Sequence, residues 1–117
     1  MDYPRGVISG AMTSTKLRNA LKRINPDLDV KLRNVRINNV LHGTSGFVTD
    51  PATGHVVYVS ADRNHGTAHT SLLRVARDVR DYSGGHNHFS TFVVDELAQA
   101  VVELLAASRE HEAYRTR

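Results

Sequence analysis

Apolar residues at Leu17, Ala20, Leu21 and Ile24 fall at the i, i+3, i+4, i+7 spacing of one helical face, while Lys16, Arg18, Lys22 and Arg23 take the other. The spacing predicts an amphipathic helix over 15–24 with Ser14 as its cap. Pro26 closes it, because proline pushes the preceding Asn25 out of helical geometry. After "NPDLD" the period drops to two. Val30, Leu32, Val35 and Ile37 alternate with Lys31, Arg33, Asn34 and Arg36, which predicts a half-exposed strand with an irregularity near Asn34. The stretch "GFVTDPATGHVVYVS" predicts two strands around a turn, with Asp50 at its first position, Pro51 at the fixed second angle and Gly54 in the left-handed conformation.

If Thr49 stands opposite His55, Phe47 falls opposite Val57 and Ser45 opposite Val59. Phe47, Val57 and Val59 then share one face, and Val48, Val56 and Tyr58 the other. The second face is too apolar to meet only water. It calls for cover by more of the chain, from the N-terminal arm or a helix, or by a second copy docked through Val48, Val56 and Tyr58. Residues 62–71 are polar and contain glycine, as loops do, and 72–76 is assigned to a short further strand. A last helix, capped by Ser90 or Thr91, carries the stripe Val94, Leu97, Ala98, Val101, Leu104 and Leu105, with Asp95 and Glu96 favourably placed in its first turn.

The pattern therefore predicts an α+β domain over 13–107, a three- to four-stranded antiparallel sheet flanked by an N-terminal and a C-terminal helix. Residues 1–12 form an arm, and 108–117 a polar tail or an extension of the last helix. A chain of 117 residues is long enough to bury one such core without staples. No apolar run is long enough to span a bilayer, and "MDYPRGVISGAM" lacks a signal peptide's basic-then-apolar layout. No membrane partner is expected, and a cytoplasmic location is. The chain has no cysteine, which fits that compartment and excludes disulfides, thiolate nucleophiles and sulfur-ligated zinc.

Charge is unevenly spread. Residues 1–40 hold eight Lys/Arg against three Asp/Glu, and 91–117 hold three against five. Lys16, Arg18, Lys22, Arg23, Lys31, Arg33 and Arg36 thus form a candidate nucleic-acid surface, for which affinity would fall steeply with salt. Double-stranded RNA-binding domains share this order of elements, but they grip phosphates with lysines at the start of the last helix, where this chain has "STFVVDEL" with two acids.

The stretch "DYSGGHNHF" holds the densest candidate chemistry. On an extended segment His86 and His88 point the same way, within reach of one zinc ion, and His65 and His69 are a second pair that Asp78 or Asp81 could complete. Gly66 interrupts the second pair and no HExxH glutamate follows, so these histidines are weak metal candidates, and neither metal nor cofactor is expected. "HNH" here is three adjacent letters, not the separated residues of the nuclease motif. There is no nucleophile elbow and no phosphate-loop lysine. Binding is favoured over catalysis. The polar stretch 76–88 is long for a structureless connection, and such loops often bind partners. Arg77, Arg80, Asp81, Tyr82, His86 and His88 are its candidate partner-binding residues.

The phrases "LRNALKRINPDLDV", "FVTDPATGHVVYVSAD" and "LLRVARDVRDYSGGHNHFSTF", leading into an apolar helix, resemble a group of small accessory proteins encoded by bacteriophages of actinobacteria. The resemblance spans about residues 13–106. It implies a phage protein acting inside a bacterial host cell and supplies no catalytic residues. The expectation is a non-enzymatic module that binds a host or phage protein, with nucleic-acid binding as the alternative and a histidine-metal hydrolase as a weaker third.

Overall fold

A computed structural model describes residues 12–63, 69–82, 88–89 and 93–115. The elements run α1 (Ser14–Ile24), β1 (Asp29–Ile37), β2 (Val40–Thr49), β3 (Val56–Arg63), β4 (His69–Ala76), β5 (His88–Phe89), α2 (Val94–Ala106) and α3 (Ser108–Arg115). The strands form one antiparallel sheet in sequence order, and the fold is the α+β class with helices before and after it. No helix among the described residues is long and apolar enough to cross a membrane.

The first helix starts one residue before the predicted span. Thr13, not Ser14, is the cap: its backbone is extended and its Oγ1 accepts from the Lys16 N–H at 3.1 Å. Ser14 is already helical, and its N–H donates to Asn34 Oδ1 at 2.9 Å, which ties α1 to β1. Asn25 leaves the helix in an extended conformation, as the following proline requires. Leu17, Ala20 and Leu21 enter a core with Val48, Val57, Val59, Leu73, Leu97, Val101 and Leu105. Met12 joins it at 4% exposure, so the packed unit begins inside the segment expected to be an arm.

Two turns set the register of β2. Asn38 and Asn39 both have positive φ, 53° and 64°, between the paired residues Ile37 and Val40. This is the geometry of a two-residue hairpin whose twist matches its strands, and asparagine tolerates it better than most residues. The β1 irregularity lies at Val35/Arg36: Val35 pairs with Gly43 and Arg36 with Leu41, leaving His42 as the extra residue of a bulge. At the second turn Asp50 N–H donates to His55 O, while Asp50 O accepts from both Thr53 and Gly54. Thr49 therefore pairs with Val56, Val48 with Val57 and Phe47 with Tyr58.

That register differs by one residue from the predicted one, and a one-residue slip moves side chains to the other face. Val48 lies with Val57 and Val59 under the helices, whereas Phe47 shares the opposite face with Val56 and Tyr58. The proposed homodimer patch of Val48, Val56 and Tyr58 does not exist as one surface: Val48 is fully buried in the helix-covered core. Phe47, Val56 and Ala76 form a smaller cluster on the other side with Tyr58 and Val79. The chain supplies cover there itself, from the segment after β4.

Three further boundaries differ from expectation. β3 runs to Arg63 and β4 starts at His69, because cross-strand pairing extends through Asp62↔Thr70 and Arg63↔His69 into the stretch expected to be loop. The last helix begins at Val94, with Val93 in the capping position and no side-chain cap from a described residue; the expected caps Ser90 and Thr91 lie outside the described residues. Its C-terminus turns at Ala107 into α3, a separate helix in which His111 and Tyr114 are buried. Residues 108–115 thus pack against β4 as part of the fold.

Candidate functional site

The sheet face opposite α1 and α2 carries a row of four residues across four strands: Lys31, Phe47, Tyr58 and Arg74. Alternation places them together, since each is the direct partner of the next. Phe47 and Tyr58 meet edge to face at 5.3 Å between ring centroids, and the Arg74 guanidinium carbon stands 4.5 Å from the Tyr58 ring centre. Arg74 is buried. Its Nη2 donates to Asp81 O at 2.6 Å, while Nη1 is buried without a hydrogen-bond partner among the described residues.

The segment after β4 closes over this row. Asp81 organises it: one carboxylate oxygen accepts from the Arg77 N–H at 2.9 Å and from the Tyr114 hydroxyl at 2.5 Å. Asp78 Oδ1 accepts from the Arg80 N–H at 2.8 Å. Tyr82 is thereby set against Phe47 and Tyr58 at 5.2 and 6.3 Å, yet remains 66% exposed. A cleft of about 270 Å³ lies here, lined by Lys31, Leu32, Arg33, Ser45, Gly46, Phe47, Tyr58, Val79 and Tyr82. Its lining offers two cations, aromatic surface and hydroxyls, and among the described residues no carboxylate or imidazole to accept a proton. The arrangement suits binding an anionic group beside an apolar or planar one.

The structure sorts the predicted residues. Tyr82 joins Lys31 and Arg33 at the cleft, so part of the loop prediction and part of the basic prediction coincide. Arg77 is exposed with its guanidinium 5.4 Å from the Tyr114 ring centre, and Asp81 is a structural hub. The α1 cations are on the other side of the sheet: Lys22 donates to Pro26 O at 3.3 Å, Arg23 pairs with Asp95 at 3.0 Å, and Lys16 and Arg18 lie on the same helix. The seven basic residues are therefore divided between two surfaces. Arg36 follows the bulge, with Nη1 3.5 Å from Asn39 O. His65 and His86 lie outside the described residues, and for His69 and His88 only the strand pairing is described. No group of three metal-binding side chains occurs among the described residues.

Sequence reasoning missed Arg74 and the aromatic row, because their grouping depends on register. It also missed a pair of histidines. His55 and His111 stack with ring centroids 3.9 Å apart and planes 11° from parallel. Their Nδ1 atoms donate to Leu105 O at 2.8 Å and to Ala107 O at 3.1 Å, at the C-terminal end of α2. Burial holds the His111 pKa below its ordinary 6.5; the neighbouring His55 adds to this, and backbone groups of Ala107 and Val56 only partly oppose it. The pair fastens α3 to the β2–β3 turn.

No family model matches this chain, and neither curated proteins nor solved structures yield a match to it.

Proposed function

We propose that this chain is a non-enzymatic binding module that holds a host or phage protein on the sheet face bearing Lys31, Arg33 and Tyr82. The observation that carries this reading is the convergence of two cations and an exposed aromatic on one cleft whose described lining holds no carboxylate or imidazole. Tyrosine and arginine dominate binding energetics at protein interfaces because they combine large contact area with polar specificity. The resemblance to phage accessory proteins suggests an actinobacterial cell as the source of the partner.

The test uses the tagged full chain and its Lys31→Glu/Arg33→Glu/Tyr82→Ala variant as bait in an actinobacterial lysate, with and without nuclease. A protein retained under both conditions by the parent and lost from the variant supports the reading. Equal retention by the variant refutes the site, and retention that disappears with nuclease transfers the function to nucleic-acid binding.

A further inference from the structure

The edge of the sheet beside this cleft has a direction that can be derived. β1 is first in the sheet, and among the described residues β2 is its only strand partner. The Lys31 carbonyl oxygen lies 2.0 Å from where a Cβ on Gly46 would stand, and the Arg33 carbonyl accepts from Thr44 Oγ1 at 2.7 Å. Both carbonyls therefore turn toward β2. In an antiparallel strand the N–H and C=O of one residue point to the same side, and the next residue's point to the opposite one. Val30, Leu32 and Asn34 consequently aim their peptide groups away from β2, at an edge where no described strand pairs.

We propose that this edge is a docking strand: an acidic, extended segment of the partner protein adds to β1, pairing with the outward peptide groups of Val30, Leu32 and Asn34. The inference rests on the binding reading above and names the form of the partner. Charge complementarity argues for it. Lys31 and Arg33 project from one face about 6.6 Å apart, and neither forms an ion pair with a described residue. A second cleft, of about 330 Å³, shares Arg33 with the first and follows β1 to Arg36, so a trough accompanies the strand. On an added strand, acids at alternate positions face Lys31 and Arg33, while the residues between them fall beside the partly buried Val30 and Leu32. A second copy of this chain fits poorly, since β1 against β1 gathers Lys31, Arg33 and Arg36 from both copies. A nucleic-acid strand meets the cations but has no peptide groups to match the edge.

The experiment measures fluorescence anisotropy of a labelled peptide alternating glutamate and valine, titrated with the full chain. The same peptide N-methylated at alternate residues and an oligothymidylate of equal charge serve as comparisons, and amide exchange is followed by NMR. The expected result is saturable binding that weakens about tenfold or more in Lys31→Glu/Arg33→Glu, equivalent to about 1.4 kcal/mol. Binding should vanish with the N-methylated peptide, and exchange should slow at Val30, Leu32 and Asn34 but not at Lys31 or Arg33. Absence of binding, equal binding of the N-methylated peptide, tighter binding of the oligothymidylate, or unchanged exchange at those three amides overturns the proposal. If the lysate partner is still lost from the triple variant, the cleft stands and only the strand-addition mode fails; if it is retained, the cleft itself fails.

Discussion

Gly46 sits in the interior strand β2 opposite Leu32 on one side and Val59 on the other, with φ at +156°. A Cβ there would stand 2.0 Å from Lys31 O, 2.8 Å from Leu32 Cα and 2.9 Å from Lys31 C. All three are backbone atoms of β1, so no side-chain rotation relieves the overlap; the two strands must separate or β1 must shift. Overpacking of this kind costs about 1–3 kcal/mol, and the backbone conformation adds about 1 kcal/mol. Gly46→Ala should therefore lose about 2–4 kcal/mol of a total stability of about 6–18 kcal/mol for a chain of this length. Gly54→Ala is the control: φ is +76° and no atom lies within 4 Å of its Cβ position, so only the conformational cost of about 1 kcal/mol applies. Urea unfolding followed by circular dichroism reads both, and at about 1–2 kcal/mol per molar the Gly46 variant should lose at least about 1 M in midpoint. A Gly46→Ala midpoint no lower than that of Gly54→Ala would refute the claim that β1 and β2 approach too closely for a side chain. Because β1 is also the proposed docking strand, the same variant should weaken peptide binding in proportion to its structural shift.

Stability should also depend on pH through His111. Its folded pKa lies below the unfolded value of 6.5 because the ring is buried and faces His55, so the native state disfavours the proton. As pH falls from 6.5 toward that lower folded value, the unfolded chain binds a proton that the native chain resists, and this part of the stability is lost; above 6.5 it is fully present. Urea midpoints should drop between about pH 7.5 and about pH 5 in the parent more than in His111→Phe, and parallel pH profiles would exclude His111 as the source. Thr13→Ala should cost about 1 kcal/mol by removing the acceptor for the Lys16 N–H. Ser14→Ala should cost little at the cap, and the reverse order in thermal or urea denaturation would return the cap to Ser14.

The two amphipathic helices and the hairpin at Asp50–Gly54 were legible because their signals are local. A period of 3.6 with a proline stop, or a turn residue that needs a particular φ, acts within a few positions of itself. The stretch "LHGTSG" was not legible as strand: its small and polar residues show no alternation. They are nonetheless buried because β2 is flanked by β1 and β3 and covered on both faces. The extension of β3 and β4 into polar sequence has the same origin, since cross-strand hydrogen bonds stabilise the backbone whatever the side chains are.

Sequence alone determined the class of the domain, the identity of its helix faces and the residue types available for recognition. Which of those residues meet was decided by one residue of register at the Asp50–His55 turn. That shift placed Val48 in the core and Phe47 beside Tyr58 and removed the expected dimer patch, while the pairing of Lys31 with Phe47 set Lys31 and Arg33 beside Tyr82 and away from the cations of α1. A turn's hydrogen bonds differ by little energy between neighbouring registers, whereas the burial of Val48, Val57 and Val59 against α1 and α2 differs by a great deal. Long-range packing therefore chose the face, and with the face the site.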